Sequence, residues 1–202
     1  MEIVTNPMSL EFHKMQMPWK EILDKCISMN YRSHSTNSCG FHTHVNRLSL
    51  GDSIEKQDEV ISRILYFFEK HFEELLIFSR RSLANLNRWA ARYGFKDNPS
   101  EIMDQAKKTY NGRYTCVNLM NNATIEFRIF RGTLRLNSLL AAVELVDEIC
   151  SQALTMSDED IQCQSWQSFV MNIDKKKKQE LIEYLKIRQL YVNEKIESDE
   201  DL

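Results

Sequence analysis

Two short segments of the chain alternate between polar and apolar residues. In Thr124-Ile125-Glu126-Phe127-Arg128-Ile129-Phe130-Arg131-Gly132-Thr133, Glu126 and Arg128 share one side, and Ile125, Phe127 and Ile129 share the other. In Cys39-Gly40-Phe41-His42-Thr43-His44-Val45-Asn46, His42, His44 and Asn46 face away from Phe41, Thr43 and Val45. A period of two predicts β-strands, with side chains two apart pointing the same way. Thr115 to Met120 predicts a third strand, joined to Thr124–Phe130 through Asn121-Asn122 as a hairpin. The apolar run from Glu2 to Thr5 stops at the turn signal Asn6-Pro7 and predicts a further strand.

Elsewhere the period is helical. Pro18 opens a helix to about Met29, with proline in the first turn. Ser53 to Ser79 is the longest periodic stretch and predicts one long helix, with Val60, Ile64, Phe67, Phe68, His71, Phe72 and Leu75 on its apolar stripe. Leu83–Tyr93 ends at Gly94, a C-terminal stop. Pro99 begins another helix, to about Tyr110, followed by a turn at Asn111-Gly112. Asn137–Leu154 is a strongly apolar helix. Ser157-Asp158-Glu159-Asp160 is a helix-start signal. Lys175–Lys178 reads as the solvated start of a last helix carrying Leu181, Leu185 and Leu190, before an acidic end.

The expected organisation is an α+β domain over 1–154, a helical extension over 155–193 and an acidic tail over 194–202. The 202 residues suit one domain, and a hydrophobic fraction of 43% is enough for a core. A net charge of −3 argues against a general nucleic-acid binder. No apolar run approaches a membrane span and no signal peptide is visible, so no membrane is expected. The five cysteines lie apart without a Cys-x-x-Cys pair, which reads as reduced thiols in a cytoplasmic protein. No Gly-rich phosphate loop is present. A nucleotide would have to be held by Arg, His and metal.

The strands offer such a set. Glu126 and His42 supply a carboxylate and an imidazole for a divalent ion. Arg128, on the same face as Glu126, can neutralise phosphate with planar donors. Arg131 and Thr133 follow at the strand end, and Arg113 opens the preceding strand. Bland readings stand beside these: His-x-His is more often chance, Glu-x-Arg is usually a cross-strand ion pair worth under about 1 kcal/mol, and Arg80-Arg81 could simply complement a helix dipole. His71, on an apolar stripe, reads as a core histidine.

Taken together, Glu2-Ile3-Val4-Thr5-Asn6-Pro7-Met8-Ser9, Cys39 to Asn46, Arg113-Tyr114 with Val117-Asn118-Leu119, and Thr124 to Thr133 resemble the amidoligase family, the carboxylate–amine ligases related to glutamine synthetase. The resemblance covers residues 1 to about 150. It implies an α+β fold in which a curved antiparallel sheet, a shortened glutamine-synthetase-like catalytic core, is packed with helices and holds ATP and Mg²⁺. It implies a reaction in which ATP phosphorylates a carboxylate of an amino acid, peptide or protein, and an amine attacks the acyl phosphate. By position, His42, Glu126 and Glu2 would be metal ligands. His44, Asn46, Arg113 and Arg128 would meet the nucleotide. Glu126, Arg128 and Arg131 would be catalytic, and Arg80 and Arg81 would contact substrate.

Such enzymes carry a Gly-x-Glu-x-Glu strand ahead of the segment that opens here, and the sequence holds none. The expectation is of a site with fewer acidic ligands and a sheet with an open edge, which a second copy or a partner could cover. That departure sets a second class beside the ligase: a non-catalytic binding module, for example a phage or mobile-element inhibitor of a host defence nucleoprotein. A third, a metal nuclease using the His/Glu face, ranks below both.

Overall fold

The computed structural model describes residues 2–33, 39–108 and 113–192. Among them it forms a mixed α+β fold of ten α-helices and a three-stranded antiparallel sheet. The helices are α1 (Leu10–Met15), α2 (Trp19–Ser28), α3 (Ile54–Lys70), α4 (Phe72–Ser79), α5 (Leu83–Trp89), α6 (Pro99–Lys108), α7 (Leu136–Thr155), α8 (Asp158–Cys163), α9 (Trp166–Asn172) and α10 (Gln179–Ile187). The strands are β1 (Gly40–Asn46), β2 (Val117–Asn118) and β3 (Thr124–Arg131), in the order β1-β3-β2.

β3 is therefore the central strand, and its apolar side carries the core. Ile125, Phe127 and Ile129 are wholly buried. Phe68 of α3 packs its ring 5.6 Å from that of Phe127. α7 is buried along most of its length and packs on α3 and α10. α2 lays Trp19 and Leu23 against Leu139, Leu140 and Val143 of α7. Leu181 and Leu185 of α10, Ile161 of α8 and Phe169 of α9 join the same core as the sheet. The division expected at residue 154 is thus not a division of the core, and the acidic tail lies outside the described residues, as does the Asn111-Gly112 turn.

Four expectations change. The Glu2–Thr5 run forms no strand. Among the described residues it has no ladder partner, and Val4 is 81% exposed. The long Ser53–Ser79 helix is two helices meeting at His71, whose backbone leaves helical geometry at φ −105°, ψ 32°. The reason is aromatic packing: the His71 ring lies 4.7 Å from Phe67 and 5.7 Å from Trp166. The third strand shrinks to two residues. Before it, Thr115 bridges Ala91, and after it the Asn118 side chain accepts from the Met120 N–H at 3.0 Å, ending the ladder. Lys178 is buried, not solvated, and its ammonium lies 2.6 Å from Asp147 and 2.7 Å from Glu148. The Ser157 signal forms a full capping box with Asp160.

Candidate functional site

The strand register sets the site. Glu126 on the central strand pairs with His44 of β1 on one side and Asn118 of β2 on the other. Between Phe41 and Thr43 the β1–β3 register shifts, so that Arg128 and Ile129 of β3 share the span opposite His42. Such a bulge re-aims side chains and recurs beside functional sites.

Four groups converge on the Glu126 carboxylate. Oε1 lies 2.6 Å from Arg128 Nη1, 3.0 Å from His42 Nδ1 and 3.7 Å from His44 Nε2. Oε2 accepts from Asn118 Nδ2 at 2.7 Å. His44 Nδ1 lies 3.3 Å from Thr124 Oγ1, which orients its ring. Burial alone would raise the Glu126 pKa. Hydrogen bonds from His42 and Asn118 and the charge of Arg128 outweigh it and hold the carboxyl at about 2.

Arg81 joins from the turn after α4. Its Nε donates to the Phe130 carbonyl at 3.1 Å. Its Nη2 and His42 Nε2 lie 2.7 Å and 2.8 Å from where a Cβ on Gly40 would sit, so glycine there leaves room for both. Burial lowers the Arg81 pKa, and the facing charge of Arg128 lowers it further. The Arg128 guanidinium also lies 5.9 Å from the Tyr114 ring, and its Nε is buried without a hydrogen-bond partner. Arg113 stays exposed beside Tyr114, its guanidinium 5.4 Å from that ring, and feels the charge of Glu126. One carboxylate thus faces several cations.

The structure brings His42, His44, Glu126, Arg128 and Arg81 together, with Arg113 at the rim. It leaves other expected site residues elsewhere. Glu2 is exposed in an N-terminal segment that pairs with no strand, and among the described residues it forms no ion pair. The Asn46 side chain accepts from the Leu48 N–H at 3.0 Å, capping a 3-10 turn over Arg47–Ser49. Arg131 has Arg80, Arg188 and Arg135 as its charged neighbours, not Glu126. Asn118, noted in the preceding strand but given no role, and Thr124, not singled out, are in the site. Both sit on strand positions that alternate with core residues, the same signal that exposed Glu126.

The fit of the implied groups differs. Among the described residues no group of three or more His, Cys, Asp and Glu could hold a metal ion. Both oxygens of the one carboxylate are engaged by cationic or amide donors. Among the described residues a protein-only Mg²⁺ cage does not fit, and Glu2, expected as a ligand, belongs to no such group. An oxyanion does fit, because the cations outnumber the acid and Arg128 Nε is a buried donor with nothing to donate to.

Comparison with known protein families, curated proteins and solved structures finds no match. Among the described residues no helix is long and apolar enough to cross a membrane.

Proposed function

We propose that the protein is an amidoligase-like carboxylate–amine ligase that binds the phosphates of ATP on the polar face of its sheet. The observation that carries this reading is the cluster on one sheet face: Arg128, His42 and His44 converge on Glu126, and Arg81 lies beside His42 at Gly40. Arg128 and Arg81 neutralise phosphate oxygens, and a bound phosphate relieves the repulsion between them. Glu126 holds His42 and Arg128 in place through one oxygen, while Asn118 fixes the other. His42, half-exposed and hydrogen-bonded through Nδ1, can present Nε2 to a reacting amine or phosphate as a proton donor or acceptor. ATP supplies the phosphoryl group that activates a carboxylate towards an amine.

The test is nucleotide binding followed by turnover. A non-hydrolysable ATP analogue should bind the purified chain, and Arg128→Gln should weaken it by about tenfold or more, the loss of a charged hydrogen bond. ADP should then be released only when a carboxylate and an amine are both present. Absence of analogue binding, or affinity indifferent to Arg128→Gln, overturns the reading.

A non-catalytic binding module is the second reading. It draws on the edge position of β1: among the described residues no strand pairs with its outer side, although the strand is seven residues long. Turnover with an intact Arg128 dependence decides against it.

A further inference from the structure

The C-terminal end of β3 opens into a small pocket of about 20 Å³, away from Glu126, lined by Arg80, Arg131, Thr133, Ser138 and Tyr184 over an apolar floor that includes Phe130. Among the described residues no carboxylate pairs with Arg80, Arg131 or Arg135. Arg188 donates to the Ile77 carbonyl at 2.7 Å. Burial lowers the Arg131 pKa, and the charges of Arg80, Arg188 and Arg135 lower it further, so Arg131 lies within electrostatic range of three other guanidiniums.

The backbone is arranged to present them. Arg80 ends α4 in the left-handed conformation, φ 58°, ψ 20°, rare for a residue with a side chain. That turn sends consecutive arginines to different places: Arg81 to the Phe130 carbonyl and His42, Arg80 to the pocket. The Thr133 hydroxyl accepts from the Arg135 N–H at 3.1 Å and so shapes the loop that carries Arg135.

We infer that this pocket is a second, separate site, which binds one small oxyanion head, a carboxylate or a phosphate, between Arg80 and Arg131. Guanidinium forks match planar or tetrahedral oxyanions, and repulsion among like charges is relieved when an anion enters. A volume of about 20 Å³ admits little more than one water-sized group, so only the head enters and the rest of the ligand stays outside. The site stands without the ligase reading.

The experiment is titration of the full chain at low salt with inorganic phosphate and, separately, with succinate, followed by calorimetry or amide shifts. Saturation by either probe supports the site, and which of them saturates assigns phosphoryl or carboxylate. Arg131→Gln should weaken the bound probe by about tenfold or more. Arg80→Gly should do the same while melting no lower than the parent, because glycine tolerates the left-handed turn. In an Arg128→Gln background, where the sheet-face cluster is weakened, binding that depends on Arg131 and Arg80 should persist. The proposal is overturned if neither probe saturates in the millimolar range. It is also overturned if Arg131→Gln and Arg80→Gly bind like the parent, or if Arg128→Gln alone removes binding.

Discussion

Two polar clusters in this molecule are built from the same residue types and behave in opposite ways. In the seam between α7 and α10, Glu144 accepts from Lys14 at 2.5 Å and from the Leu181 N–H at 2.7 Å. Glu148 accepts from Lys178 at 2.7 Å and from Gln152 at 2.6 Å. Two lysines, an amide and a backbone N–H engage these acids, and Glu144 is wholly buried. On the sheet face one acid meets Arg128 and two histidines with Arg81 nearby, the His42 and His44 side chains are 32% and 52% exposed, and a buried guanidinium nitrogen has no partner. In the seam every acid has a lysine against it. On the face a buried cationic nitrogen has no acceptor. Acids met from within the chain read as architecture and cations without an acid as a candidate binding surface, and the following outcomes test that division.

The largest effect belongs to the seam. Lys178→Met leaves Glu148 buried without its cation and should cost about 3–5 kcal/mol in urea unfolding. Adding Glu148→Leu should recover much of that, since an apolar pair replaces an ion pair at little net cost. A loss under about 1 kcal/mol for Lys178→Met would place that ammonium in solvent and dissolve the contrast with the sheet face.

Next comes His71, where α3 meets α4. Burial, helped by the nearby Lys70 charge, lowers its pKa from 6.5 to about 4. The unfolded chain then binds the proton more readily than the folded one. Stability from this group is complete above pH 6.5 and is lost as pH falls through 6.5 to about 4, a total of about 3 kcal/mol. Burial and hydrogen bonding with Glu180 raise the Glu144 pKa, so Glu144 tilts the profile the other way, favouring the fold as carboxylates protonate. The difference between parent and His71→Leu isolates the His71 contribution. Parallel pH profiles for the two would mean the imidazole is not desolvated.

Glu126→Gln comes third. The amide keeps the shape and can still accept from Arg128, so the fold should survive with a loss of about 1–2 kcal/mol at neutral pH. The Glu126 carboxyl sits at about 2 in the fold against 4.5 for the free group, so its contribution is present above 4.5 and lost as pH falls towards 2. The variant should lack that acid-side loss. If Glu126→Gln unfolds the chain, the cluster is architecture like the seam.

The two clusters also differ in how far the sequence discloses them. The His42/His44 and Glu126/Arg128 pairs are local: a period of two places each pair on one face whatever the tertiary structure. What periodicity cannot give is register, so the bulge opposite His42 and the pairing of Asn118 with Glu126 appear only with the sheet. The seam is invisible in sequence because its partners are remote: Lys14 meets Glu144, and Lys178 meets Glu148 across a helix pair. A basic run reads as solvent-facing until one of its lysines is found under a helix. The Glu2–Thr5 run shows the converse, since apolar alternation cannot make a strand without a neighbour to pair with. The long helix split at His71 because side-chain stacking with Phe67 and Trp166 overrode a helical pattern that continues through the break.

The smallest effect has the opposite sign. Arg80 occupies a left-handed backbone position that costs an ordinary residue roughly 1–2 kcal/mol. Glycine removes that strain but adds freedom to the unfolded chain, so Arg80→Gly should stabilise by about 0.5–1 kcal/mol net, read as a modest rise in melting temperature. Lys178 is held in place by Asp147 and Glu148, whereas Arg80 is held at a cost to the fold and, among the described residues, makes no ion pair in return. A cation kept where it strains the backbone and repels its neighbours is what the proposed anion site would require. If Arg80→Gly lowers the melting temperature instead, the side chain is holding the end of α4 together, and its place at the mouth of the pocket is a by-product of that role.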